Sequence, residues 1–240
     1  MKLDLVKKLQ QKKYRQSLGY CLVEGEHLIL ELQRAATTHS ALQASCLYVT
    51  ERYADWQSPF ETHLISDKQM ASISDTETPQ GILARVPLAA LQTPGSGTET
   101  AIYLHEIQDP GNLGTILRTL GWFGGFRCLL SPGSVDPFNP KVIRASMGAI
   151  FHVPLELDVP LTSLSSRFSR IGCLDMQGHS LTSEAFQSID CYLFGNEARG
   201  VPADALQTLN AQAFTIPGAG LIESLNLASA VNICIYERRR

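Results

Sequence analysis

Glycine, carboxamide, carboxylate and hydroxyl groups gather at three places in this chain, each just after a short apolar run that reads as a strand. Gln108-Asp109-Pro110-Gly111-Asn112-Leu113-Gly114 follows AIYLHEI, and Asn196-Glu197-Ala198-Arg199-Gly200 follows CYLFG. Ala219-Gly220-Leu221-Ile222-Glu223-Ser224-Leu225-Asn226 follows AFTIPG. In open parallel sheets, ligands sit outside the carboxyl ends of strands, in the loops that lead to the next helix. These loops therefore hold the candidates for binding and catalysis.

Each candidate also has a plain local reading. Asn112 opens LGTILRTLGWF, whose apolar spacing is helical, so it serves equally as an N-cap that accepts a backbone N–H. Ser224 serves equally as the cap of the last helix, where Leu225, Ala228, Val231 and Ile235 fall on one face. Arg118 stands six residues after Asn112, nearly two helical turns on, and Glu197 in its Gly-flanked loop reads equally as a solvated side chain. Other patterns lead nowhere. Gly121, Gly124 and Gly125 do not make G-x-G-x-x-G, Gly218-Ala219-Gly220 lacks a third glycine, and no P-loop is present. Ser146 lacks the preceding glycine of a nucleophile elbow. His27, His39, His63, His105, His152 and His179 are scattered, which suits structural roles.

The elements that must position these loops follow from pattern. The chain has 240 residues, enough for one large domain or two modest ones. Its composition, 44% apolar and 18% charged, is that of an ordinary globular protein. Residues 87 to 100, PLAALQTPGSGTET, break the apolar periodicity and read as a linker. The division expected is a small domain over 1–87, a linker over 88–99 and a larger domain over 100–240. Upstream of the linker, a helix over about 2–17 leads to strand CLVEG, helix 26–36, strands CLYVT and THLIS, a short helix from Asp67 and strand QGILARV. Downstream, AIYLHEI, FRCLLS, SRIGCLD, CYLFG and AFTIPG alternate with helical stretches. This is an α/β pattern, which predicts a mostly parallel sheet covered on both faces.

A formal charge of −3 gives no global field toward polyanions, so any such partner must meet a local patch. The six cysteines show no C-x-x-C pair and no histidines at ligand spacing. They read as core hydrophobes in a reducing compartment, and no metal is expected. The basic start is too charged for a signal peptide and no run is long enough to span a membrane, so a cytoplasmic location is the default expectation.

Taken together, NLGTILR at 112–118, FGNEARGVP at 194–202 and IPGAGLIESLNLASA at 216–230 resemble the three signature motifs of the SpoU (TrmH) branch of the SPOUT RNA methyltransferases. NPKVIRASMGAIFHVPL at 139–155 is similar to the segment that follows the first motif. YRQSLGYCLVEGEHLILE and SISDTETPQGILA are similar to the L30e-like RNA-binding domain that many members carry. The likeness covers most of the chain, with the linker and residues 156–190 contributing little. Two departures stand out: Gly218 where a methionine is usual, and Leu-Ala-Ser-Ala after Asn226. Neither removes a polar group, so they bear on pocket shape.

The resemblance implies transfer of a methyl group from S-adenosylmethionine to a ribose 2′-hydroxyl in structured RNA, ribosomal more than transfer RNA, by a homodimer. It implies a carboxyl-terminal SPOUT α/β trefoil-knot domain beside a smaller L30e-like α/β domain. By motif position, Gly195, Ile216 and Leu225 would hold the cofactor through main-chain groups, with Asn196, Gly200 and Pro217 shaping the loops. Asn112, Arg118, Glu197, Ser224 and Asn226 match the polar positions around the reacting groups. A guanidinium, with a pKa above about 12, is a poor proton acceptor. Arg118 is therefore expected to clamp a phosphate and stabilise charge on the reacting oxygen. Glu197 would orient Arg118 or Asn112 from the opposite loop, and Ser224 and Asn226 would hydrogen-bond the hydroxyl or fix Asn112.

Read alone, the basic residues of the amino-terminal helix are equally a solvated face. With the resemblance, Lys7, Lys8, Lys12, Lys13 and Arg15, with Arg144 near the expected active site, become RNA-contact candidates. Two other readings compete: a non-catalytic RNA-binding or ribosome-assembly protein that keeps the fold, and a methyltransferase acting on a small molecule or protein.

Overall fold

The computed structural model describes residues 1–93, 95–222 and 224–240 and divides the chain into two compact units. One comprises Met1–Thr93 with Asp136–His152, the other Pro94–Val135 with Val153–Arg240. Residues 136–152, which the sequence division leaves inside the 100–240 half, thus group with the amino-terminal elements.

The amino-terminal unit contains α1 (Leu3–Lys8), α2 (Lys12–Leu18), β1 (Tyr20–Glu24), α3 (Glu26–Ala36), β2 (Cys46–Val49), β3 (Glu61–Leu64), α4 (Asp67–Ile73) and β4 (Ile82–Pro87). Its sheet runs β1-β4-β2-β3, with β4 antiparallel to both neighbours and β3 parallel to β2. Val6 and Leu9 pack with Met70 and Ile73 against Leu22, Tyr48 and Leu83. On α3 the buried set is Leu28, Ile29, Leu32, Ala35 and Ala36, one helical stripe.

The single helix expected over 2–17 is instead two. The Arg15 guanidinium, 3% exposed as a residue, donates through Nη1 to the carbonyls of Leu9 at 3.0 Å and Gln10 at 2.8 Å. Those carbonyls therefore serve a buried cation where the helix breaks. Arg15 also donates Nε to Asp136 at 3.0 Å, and its Nη2 is ion-paired with the same carboxylate. That bond ties residues 136–152 to this unit.

The carboxyl-terminal unit begins with β5 (Thr100–Leu104), α5 (Pro110–Phe123) and β6 (Phe126–Leu130). α6 (Pro140–Ser146) belongs to the other unit. Then come β7 (Leu155–Glu156), α7 (Leu164–Arg167), β8 (Ile171–Ser180), α8 (Glu184–Gln187), β9 (Cys191–Phe194), α9 (Ala203–Thr208), β10 (Gln212–Thr215) and α10 (Leu227–Arg239). The sheet runs β10-β8-β9-β5-β6-β7, and every neighbouring pair is parallel. β7 is a strand that the sequence reading did not find.

Sheet order places β5 and β9 side by side although Cys191, the first residue of β9, stands 87 positions after Leu104, the last of β5. β5 connects through α5 to β6 on one side, while β9 approaches from the other, so the strand order reverses between them. Crevices beyond the carboxyl ends of such a pair are where α/β sheets bind ligands. α10 packs along α5, where Thr119 Oγ1 donates to Asn232 Oδ1 at 2.6 Å and Phe123 meets Tyr236 edge-on. Among the described residues no helix is long and apolar enough to cross a membrane.

Candidate functional site

The loop after β5 makes the first wall. α5 starts at Pro110, and Asp109 caps it by accepting the Asn112 N–H at 2.7 Å. Asn112 is therefore not the N-cap that its local sequence allows; Asp109 followed by proline is the stronger start signal. With its backbone satisfied by Asp109, the Asn112 carboxamide is released for other partners.

The loop after β9 makes the second wall. Asn196 is 7% exposed, and its Oδ1 accepts the N–H groups of Ala198 at 3.0 Å and Arg199 at 3.1 Å. Its backbone pairs both ways with Gly200, which sits at φ +67°. The turn is so tight that a Cβ on Gly195 would lie 2.4 Å from the Gly200 carbonyl carbon, so Gly195 has no substitute. The turn presents Glu197 outward. Its carboxylate accepts the N–H groups of Gln108 and Asp109, both at 3.2 Å, and the Asn112 Nδ2 at 3.3 Å. A carboxylate at the start of α5 also complements the helix dipole.

The third wall is the approach to α10. Asn226, not Ser224, caps that helix through the Ser229 N–H at 3.2 Å. Its Nδ2 donates to Asn112 Oδ1 at 2.9 Å. Asn112 is thus held at both ends of its carboxamide, by Glu197 from one loop and Asn226 from another. These three motif positions meet, whereas Arg118 and Ser224 do not join them. Arg118 is exposed on α5 and, among the described residues, forms no hydrogen bond or ion pair; Ser224 is exposed and forms none either. Leu225, expected on the buried face of the last helix, lies outside it and is 46% exposed; Cys234 completes that face with Ala228, Val231 and Ile235. Beside it Leu221 and Ile222 also stand exposed, while Ile216, Pro217 and Gly218 lead from β10 into the same loop. A Cβ on Gly218 would meet nothing within 4 Å.

Sequence reasoning missed Glu106. It adopts a left-handed backbone, φ +49°, and links three loops. Its N–H donates to Ser131 Oγ at 2.7 Å, its carbonyl accepts Asn196 Nδ2 at 2.8 Å and Gln108 Nε2 at 2.9 Å, and its carboxylate accepts Arg199 Nη2 at 2.8 Å. No residue-type signal marks it, because the cue is backbone geometry.

In the amino-terminal unit, Lys7, Lys8, Lys12 and Lys13 are exposed, with the ammonium groups of Lys8 and Lys13 over the Tyr14 ring at 5.3 and 5.9 Å. Arg15 is a correction: buried and committed to Asp136, Leu9 and Gln10, it presents no charge to a partner. Arg144 is paired with Asp75 at 3.1 Å within this unit. Cys46, Glu61 and His63 bring potential ligand atoms within 4.8 Å of one another, and burial raises the Cys46 thiol above its ordinary range.

Comparison with known proteins gives consistent matches along the chain. The model of the SpoU rRNA Methylase family matches residues 99–236, and that of the MRM3-like substrate binding domain matches residues 2–84. A 23S rRNA guanosine 2′-O-methyltransferase of Bacillus subtilis is 30% identical over 97% of this chain and 94% of its own length. A structure from Porphyromonas gingivalis, described as a TrmH-family RNA methyltransferase, superposes with a TM-score of 0.82 at 30% identity and covers 99% of this chain and 96% of that one. An AdoMet-bound rRNA methyltransferase from Sinorhizobium meliloti shares the fold, with a TM-score of 0.82 at 24% identity over 99% of this chain and 93% of that one.

Proposed function

The chain belongs to the SpoU rRNA Methylase family, and we propose that it transfers a methyl group from S-adenosylmethionine to a ribose 2′-hydroxyl of ribosomal RNA. The observation that carries this reading is the junction of Asn112, Glu197 and Asn226 beyond the carboxyl ends of β5, β9 and β10. The cofactor supplies a methyl group already activated on a sulfonium, so the protein's task is to bind, orient and manage one proton.

The loops fit such a cofactor. Leu221, Ile222 and Leu225 offer exposed apolar surface at 90%, 71% and 46% for a planar base, beside main-chain groups around Gly195 and Ile216. Asn196 and Gly200 hold the first of these loops in shape, and Pro217 stiffens the second. Asn112, fixed at both ends, sets the floor on which the ribose is placed. Ser224, exposed and without a protein partner among the described residues, is available to hydrogen-bond the hydroxyl. Placing the hydroxyl in line with the methyl group converts a bimolecular reaction into an effectively unimolecular one.

Arg118 acts as a cation. It grips the phosphate next to the target ribose and stabilises the negative charge that develops on the oxygen, while a neighbouring group or water takes the proton. Arg118 and Trp122 lie one turn apart on α5, and Trp122 is 84% exposed. With the exposed Ile233 and Tyr236 of α10, this face supports pairing of two copies, which would bring Arg118 to the boundary between them. Lys7, Lys8, Lys12 and Lys13 supply RNA-phosphate contacts in the substrate-binding domain. We place the protein in the cytoplasm, a reading that the six free, buried thiols support.

The test uses methyl-labelled S-adenosylmethionine with separated ribosomal and transfer RNA, followed by alkaline digestion. A 2′-O-methyl group removes the nucleophile that cleaves the neighbouring phosphodiester, so label in alkali-resistant dinucleotides from ribosomal RNA is the expected result. Label in mononucleotides would place the methyl group on a base and overturn the acceptor; label from transfer RNA alone would overturn the RNA class.

A further inference from the structure

We propose that Glu106 is a positioning residue for methyl transfer, holding the loop that carries Glu197 against the start of α5. The inference rests on the reading of the site given above and adds a residue that the family motifs do not contain.

Its basis is geometric. A non-glycine residue at φ +49° is sparsely populated, and such strain persists only where the surroundings over-determine it. Glu106 is over-determined at every polar group. Its N–H is bound by Ser131 Oγ, and its carbonyl accepts Asn196 Nδ2 and Gln108 Nε2; the same Gln108 amide reaches the Gly133 carbonyl at 2.9 Å. Its carboxylate, 37% exposed, receives Arg199 Nη2. The turn after β9 is therefore held on both flanks by one residue: Asn196 at its start by the Glu106 carbonyl, Arg199 near its end by the Glu106 carboxylate. Glu197 lies between these anchors and reaches Gln108, Asp109 and Asn112. The left-handed backbone lets one residue turn its carbonyl to Asn196 while its side chain meets Arg199.

The role separates binding from reaction. If Glu106 acts by fixing Glu197, loosening it lowers the rate of the chemical step and leaves the affinity for RNA unchanged. An exposed ion pair sets the ceiling at about fivefold.

The experiment compares wild type, Glu106→Gln, Arg199→Ala, the double variant and the charge-swapped pair Glu106→Lys with Arg199→Glu. Steady-state methyl transfer and amide hydrogen exchange of residues 194–202 are both measured. The expected result is a kcat lowered about threefold to fivefold in each single variant, no further loss in the double, partial recovery in the swap and KM for RNA unchanged. Exchange at Ala198 and Arg199 should quicken in the single variants. A rise in KM at constant kcat would make Arg199 an RNA contact and overturn the positioning role, as would additive losses or unchanged exchange. Absence of methyl transfer in wild type would reject the proposed reaction, and the exchange data would still decide whether Glu106 holds the loop.

Discussion

Asn226 donates its Nδ2 to Asn112 Oδ1 at 2.9 Å although 114 residues separate them in sequence. The same Asn226 side chain accepts the Ser229 N–H with its other end, so one carboxamide both starts α10 and fixes Asn112. The two duties separate by substitution. Asn226→Ala removes both and should lower stability by about 1 kcal/mol through the lost cap. Asn226→Asp keeps the capping oxygen and loses the donor, so thermal stability should hold while methyl transfer falls. Calorimetry beside turnover checks this, and full activity in the aspartate variant would remove Asn112 orientation from the account.

Arg15 should behave as a core residue. Its guanidinium side chain is 4% exposed and its partner Asp136 11%, and it also binds the carbonyls of Leu9 and Gln10. Arg15→Ala leaves a buried carboxylate and two carbonyls without their donor, which should cost about 3–5 kcal/mol in urea unfolding. Adding Asp136→Ala should recover part of that loss, because the stranded charge is then gone.

The exposed lysines should show the opposite phenotype. Replacing Lys7, Lys8, Lys12 and Lys13 with glutamine should leave folding and cofactor binding intact and weaken RNA binding. The slope of log affinity against log salt should flatten by up to about three, since each phosphate contact contributes about 0.7–0.9. A filter-binding titration across salt concentrations measures it, and an unchanged slope would move the RNA surface elsewhere.

The buried thiols predict a loss of stability at high pH. Burial pushes Cys128 and Cys234 up from an ordinary 9.0 to about 12. Below pH 9 both the folded and unfolded chains keep these protons. Between 9 and 12 the unfolded chain releases them while the folded chain does not, so stability is lost as pH rises. Urea midpoints should therefore decline above about pH 9, and less steeply in a Cys128→Ala, Cys234→Ala variant. At about pH 8 neither thiol should react with an alkylating reagent in the folded chain.

Much of this architecture is legible in the residues. The strands appear as short apolar runs, α3 as a stripe of leucine, isoleucine and alanine, and the candidate loops as glycine beside polar groups. What fails to show is decided by distant partners. The break after α1 depends on Arg15 recruiting Leu9 and Gln10 toward Asp136, 121 residues away. The two-residue β7 is too short to carry a periodic signal, and it exists by pairing with β6. Within the site, motif resemblance points to Asn112, Glu197 and Asn226 and to a contact from Glu197 to Arg118 or Asn112; the structure gives the contact to Asn112. The capping of α5 by Asp109, followed by proline, was readable locally. The hub at Glu106 was not, because an ordinary glutamate acquires its role only from a left-handed backbone.

Glu197 bridges the turn after β9 to Asn112 at the start of α5, and in the proposed reaction it orients the reacting groups without binding the cofactor itself. Single-turnover methyl transfer by Glu197→Gln, with S-adenosylmethionine affinity measured by titration calorimetry on the same protein, tests it most directly. The expected result is a rate at least about tenfold lower at unchanged cofactor affinity, the loss expected when positioning fails. A wild-type rate in this variant, or a rate loss matched by an equal loss of cofactor affinity, would contradict it.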